Sequence, residues 1–450
     1  MPELGDARMR ALFPISALTV LYVGLAILSV APGERAIIVF IGMMFAAFAG
    51  LWWAHRRAGA IRGGTVLAVA ALFHVIGLFG LPLFEDDPYR YLWDGYRFVA
   101  SGSPYGAAPA AFFTDPAVPG AMQRILDGIN YPEIPTIYAP GLQAVFGLGH
   151  LIAPAALWPI KLMLILANLA LIALLLRSAS PRMVLLYAWN PLVFKEVALT
   201  AHPDALLALP LLMAWQYRNI GGVWLKGALF GIALAVKISA LPAMAWLLWQ
   251  KRYWAIPLAG LTVLATYLPF VGTANDLPGL FAFAQGWQFN AAVYAWMLAV
   301  LDPDQARIVC AIIAAIAMLA IQYRARGSDA CPPWHRVFGV LLLFSPAINP
   351  WYLLWLLPFA VFSRETWPWA ASAAVCLSYV TGLNADRDDI AAFAVVPWAQ
   401  TLEWLLIAIA LGIDIAAGLQ RWNNANACPP TECPIADAPV HLDGQPNAGS

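Results

Sequence analysis

Long apolar stretches separated by short polar corners dominate this chain. Runs of membrane-spanning length fall at about 11–30, 36–54, 64–84, 157–176 and 183–199. Others follow at about 204–217, 222–238, 253–271, 305–323, 334–350, 367–383 and 395–417. Two shorter ones, about 240–250 and 351–363, suit tilted or broken helices. The pattern predicts an all-α, polytopic transmembrane bundle of about 12–14 spans. Its parts are N-terminal helices over 1–63, a catalytic-size module over 64–420 and a disordered, cytoplasmic tail over 421–450. The tail is rich in Pro, Asn and Ala and has no periodicity.

Composition agrees. Hydrophobic residues are 62% of the 450 and charged ones 11%, so a water-soluble globule is excluded. The 25 basic and 25 acidic residues cancel, which removes nucleic acid as a partner suggested by charge. Arg8 and Arg10 precede the first run, and Ser29-Val30-Ala31 resembles a cleavage site. An uncleaved anchor is expected, because the other runs remain in any case. With both termini cytoplasmic, 16 of the 25 basic residues fall inside. This requires the apolar stretch 137–154 to stay on the outer side as an embedded helix. The polar mass then lies outside, in loops at 85–136 and 272–304 and in corners near 200, 349 and 386. Of the five Cys, Cys310 and Cys376 read as packing residues. Cys428 and Cys433 have no second Cys or His pair that would complete a zinc site. No nucleotide-binding Gly loop is present, so ATP is not the expected energy source.

The first loop carries the chemistry. Glu85, Asp86 and Asp87 abut a span, and carboxylates this close raise one another's pKa, which suits a general base. Asp87-Pro88 reads as a helix start, with Asp87 the N-cap. Asp86 is then the better candidate base. Tyr89, Leu92, Trp93, Tyr96 and Val99 share one helical face; Arg90, Asp94, Arg97 and Ser101 share the other. Arg90 is expected to hold Asp94 or to reach a phosphate. Lys237 closes an apolar run with no carboxylate near in sequence; it snorkels or meets an anion. His202 and Asp204 bracket Pro203, as a helix cap or as ligand contacts. Trp287, Trp351 and Tyr352 suit an interfacial belt or stacking on a sugar. Lys195 and Glu196 are expected to pair only with each other.

These residues resemble a family. Asp86, Tyr89, Trp93-Asp94-Gly95 and Gly102-Ser103-Pro104-Tyr105 look like the first outer-loop motif of GT-C membrane glycosyltransferases. The likeness is to the bacterial polyprenol-phosphate-mannose-dependent branch, and more distantly to the first mannosyltransferase of GPI-anchor synthesis. It continues through Asn130–Pro140, Asn190-Pro191, His202-Pro203-Asp204, Lys237, Trp287 with Asn290, and Asn349-Pro350-Trp351-Tyr352, over about residues 64–383. Tyr131, Ala139, Pro203 and Asn349 stand where the family pattern suggests His, Pro, Asn and His. The resemblance implies inverting transfer of one sugar, mannose first among candidates, from a polyprenyl phosphate to a glycan, lipid or protein acceptor. The reaction would take place at the periplasmic face of the inner membrane. It implies Asp86 as base, with Asp87 beside it. Lys237, Arg90 and His202 would serve the phosphate, and Asp94, Asp204, Asn349, Trp351 and Trp287 the substrates. No cofactor is expected. A divalent metal at Asp86 and Asp87 is not required, since Lys237 would neutralise the phosphate. The competing expectation is a transporter or lipid flippase, which calls for midplane charges and an internal repeat, neither of which the sequence displays.

Overall fold

The computed structural model describes residues 2–32, 36–381 and 393–427. Among these the regular structure is all helix, apart from one isolated bridge between Phe289 and Ala347. Among the described residues, five helices are long and apolar enough to cross a membrane: Phe13–Val30, Ile37–Arg57, Trp158–Leu175, Pro303–Arg324 and Pro397–Arg421. Their outward faces carry exposed Ile38, Leu166, Ile316 and Ile409, side chains that water would not tolerate in such number. The chain is a membrane protein.

Other predicted runs form shorter pieces. The runs at 183–199 and 204–217 meet in a pair, Pro191–Leu199 and Pro203–Gln216, bent by 102°. Pro203 removes a donor at the break, and residues 200–202 turn the corner. The 240–250 and 351–363 runs are broken, the first holding Pro242 within a tight turn of helix. The final helix continues through Ala427, so the first residues assigned to a disordered tail are helical. The corner near 386 and the Cys428–Cys433 pair lie outside the described residues. Cys310 and Cys376 are buried.

The early helices are α1 (Pro2–Val30), α2 (Ile37–Arg57), α3 (Gly63–Leu78) and α4 (Asp87–Ser101). They are followed by α5 (Gly120–Leu126), α6 (Pro140–Ile152) and α7 (Trp158–Leu175). Tyr22 of α1 donates to the Trp189 carbonyl at 2.6 Å and stacks on Phe194 at 4.1 Å. Trp189 in turn donates to the Val66 carbonyl of α3 at 2.9 Å. Lys161 of α7 donates to the carbonyls of Gly77 and Gly80 at 2.7 and 2.6 Å, capping the end of α3. His74, Asn168 and Tyr187 form a buried polar chain between α3, α7 and the next helix.

The apolar stretch 137–154 forms α6. Thirteen residues rise only about 20 Å, too short to span. It crosses α4 where Gly95 faces the Phe146 backbone and Gly147 faces the Phe98 ring. A Cβ on Gly95 would overlap the Phe146 carbonyl oxygen, a backbone atom with no room to retreat. Gly95→Val is therefore expected to destabilise the protein by about 1–3 kcal/mol or more, read as a lower midpoint of thermal unfolding in micelles. An unchanged midpoint would count against this packing.

Two expectations about α4 are corrected here. The cap position belongs to Asp86, and Asp87 is already in the first turn. The buried face is also different. Tyr91, Leu92, Trp93 and Asp94 are buried while Tyr89 and Val99 are exposed. Contact with α6, rather than lipid alone, decides which face turns in.

Candidate functional site

One pocket, with about 830 Å³ of free space partly open to solvent, lies where the start of α4 meets several distant corners. From the first loop come Asp86, Asp87 and Arg90. Asp204 comes from the bent pair and Lys237 from the break after helix Gly222–Val236. Trp287, Asn349 and Trp351 join them, whereas Asp94 and His202 do not line the pocket. Residues as far apart in sequence as Asp86 and Trp351 thus face one space.

Lys237 breaks the helix that ends at Val236 by taking an extended conformation. Its Nζ lies 2.5 Å from Asp204 Oδ1, and the Tyr352 and Trp355 rings sit 4.7 and 5.2 Å from it. Trp355 Nε1 also donates to Asp204 Oδ1 at 2.7 Å. The lysine that has no acid near it in sequence has one in space. An ammonium has three donors, and Asp204 takes one.

Arg90 does not hold Asp94. It donates to the Ile134 and Tyr131 carbonyls at 2.9 and 3.1 Å, fixing the loop that forms one side of the pocket. Asp94 turns inward and lies off the pocket, against its expected contact with substrate. It accepts from Thr136 and, at 3.0 Å, from Gln143. Burial pushes its carboxyl up to about 6, with Arg90, Thr136 and Gln143 pulling the other way. Its role is to tie α4 to α6. His202 also lies off the pocket, with no exposed side-chain surface: Trp351 stacks on it at 4.0 Å, and it sits behind Asp87. His202, expected at a phosphate, here contacts the Asp87 and Glu196 carboxylates.

Asp87 receives the Tyr91 hydroxyl at 3.5 Å and faces His202 Nε2 at 3.4 Å. The Asn349 side-chain oxygen is buried and has no hydrogen-bond partner among the described residues. A buried acceptor left open at a pocket is a place for a ligand donor. Trp287 stands edge-on to Tyr131 at 5.1 Å and to Phe393 at 4.6 Å, building an aromatic wall. Tyr131 and Phe393 both have positive φ, 50° and 56°, as does Ala201 (69°) beside His202. Such backbone costs on the order of 1–3 kcal/mol per residue and gathers where function fixes it.

Sequence reading named Glu85 among the crowded carboxylates but missed its burial against Lys195, the other partners of Lys195 and Glu196, and Phe393. The signal for Lys195 and Glu196 was visible: two charges inside an apolar run. Residues Phe194–Leu199 form a π-helical stretch, a widened turn often found at functional sites, which brings both side chains inside. Nothing in sequence marks Phe393. The arrangement can hold a polar ligand between carboxylates and an ammonium, with flat apolar groups against the aromatic wall. No known family profile, curated protein or solved structure matches this chain.

Proposed function

We propose that the protein is a membrane glycosyltransferase of GT-C type, moving one sugar from a polyprenyl phosphate to an acceptor hydroxyl at the periplasmic face. The observation that carries this is that Asp86, Asp87, Arg90, Asp204, Lys237, Asn349, Trp351 and Trp287 line one pocket. In the reaction the acceptor oxygen bonds to the anomeric carbon. The bond from that carbon to the phosphate oxygen breaks and its electron pair leaves with polyprenyl phosphate. The hydroxyl proton passes to the Asp86 carboxylate. Attack from the face opposite the leaving group inverts the centre. Lys237 offers its remaining donors to the leaving phosphate, whose charge grows as the bond breaks. The Asn349 oxygen accepts from a sugar hydroxyl. The aromatic wall covers the apolar face of the ring.

The test is incubation of membranes with polyprenyl-phosphate-[14C]mannose, with and without this protein. Label moving into a new, non-phosphate-linked product only when the protein is present supports the proposal. A second reading, a lipid or solute transporter, draws on the bent pair beside the pocket, since broken helices line transport sites. Intact labelled lipid changing leaflet with no new bond would favour it.

A further inference from the structure

Beneath Asp87 runs a buried line of titratable groups. His202 Nε2 lies 3.4 Å from Asp87 Oδ2, a charge contact more than an aligned hydrogen bond. His202 Nδ1 lies 2.7 Å from Glu196 Oε2. Glu196 also meets Lys195 Nζ at 3.2 Å and takes the Tyr379 hydroxyl on its other oxygen. Lys195 reaches Glu85 Oε1 at 3.2 Å and lies over the Tyr379 ring. The side chains of His202, Glu196, Lys195 and Glu85 are wholly buried, and only Asp87 is open, at 32%. These are the charged and titratable groups that face His202 from the turn before α4, the π-helical stretch and the Tyr379 segment. Its remaining flat face is covered by Trp351.

The hydrogen-bond inventory restricts what His202 can be. An ionised carboxylate only accepts. Glu196 has Lys195 and Tyr379 as donors, so it sits among groups that favour its ionised form. A neutral imidazole that donates Nδ1–H to Glu196 turns a bare lone pair toward Asp87. Two lone pairs at 3.4 Å repel. An imidazolium has a hydrogen on each nitrogen and meets both carboxylates.

We propose that Glu196 is a positioning residue acting through His202: it holds the imidazole doubly protonated, and the imidazolium fixes Asp87 as an anion at the pocket floor. On the transfer reading, which this deepens, Asp87 is a standing negative charge beside the sugar and Asp86 takes the proton.

The experiment is ¹⁵N NMR of histidine-labelled, full-length protein in lipid nanodiscs. The six histidines are resolved by type, and the His202 signal is the one lost in His202→Gln. At pH about 7.5, a unit above the ordinary imidazole midpoint of about 6.5, wild-type His202 is expected with both nitrogens protonated. Glu196→Gln is expected to leave it neutral at that pH. Asp87→Asn, at a partly exposed position that tolerates exchange, is expected to lower the pH at which His202 loses its proton. A neutral His202 in the wild type overturns the proposal. An imidazolium that persists in Glu196→Gln overturns the role of Glu196, and an unmoved midpoint in Asp87→Asn overturns the link to the pocket. These spectra decide the matter whether or not sugar transfer is found. If transfer is found, its loss in Glu196→Gln is expected to be relieved as pH falls and His202 regains its proton, which a merely structural role would not produce.

Discussion

Asp86→Asn is expected to lower sugar transfer by about 10²- to 10⁴-fold, the range that general-base catalysis contributes. The exchange keeps shape and removes only charge and basicity. Asp86 sits at the cap position of α4 but its side chain makes no capping hydrogen bond, so the helix start survives the exchange. The protein should therefore accumulate and unfold as the wild type does. Asp127→Asn, at an exposed acid of the same loop outside the pocket, is the matching control and is expected to stay within about twofold. A loss smaller than about tenfold in Asp86→Asn would remove Asp86 from the base role.

The largest stability effect is expected at Lys195. Lys195→Met leaves Glu85 and Glu196 buried without their shared cation, a change that costs about 3–5 kcal/mol when a buried pair is broken from one side. The two acids differ in their escape. Burial already pushes the Glu85 carboxyl up, to about 8, so it takes up a proton readily. Glu196 is bound by His202 and Tyr379, which favour its charge. Most of the cost then falls on Glu196. Adding Glu85→Gln to Lys195→Met should recover little, and adding Glu196→Gln should recover more. Denaturant unfolding in micelles reads both. A loss under about 1 kcal/mol in Lys195→Met would mean that the network is not a stabilising unit.

Much of the site was legible because its residues break local rules. Asp86 and Asp87 crowd a span end, Lys237 is a charge on an apolar run, and Trp351 follows Asn349-Pro350 at a corner. Each is costly unless something in the fold answers it, and the pocket gathers them. What sequence could not give was direction. Asp94 and Arg90 are spaced for an i,i+4 pair, yet Asp94 turns to Thr136 and Gln143 and Arg90 to loop carbonyls. A buried carboxyl gains more from two neutral donors inside than from an ion pair in water. The same holds for Lys195 and Glu196. Neighbours in sequence, they also pair with Glu85, His202 and Tyr379, because the π-helical stretch turns both inward. Element lengths were less legible than element positions. Pro203 and Pro350 fall at junctions between apolar runs, and Pro242 lies inside one, so the helices there are short.

The lysine at the foot of α7 has a consequence for how these helices meet lipid at all. Helix α3 has 16 residues and presents the carbonyls of Gly77 and Gly80, with His74 midway along it. Helix α7 carries the Lys161 amine and Asn168 against them. Alone, each is a poor solute for hydrocarbon: one offers bare acceptors, the other bare donors. Side by side they act as each other's solvent, and their joint outer surface is apolar. The smallest piece of this chain that the bilayer can accept here is thus a pair of helices some 80 residues apart in sequence, and the loop between them is the one that carries Asp86.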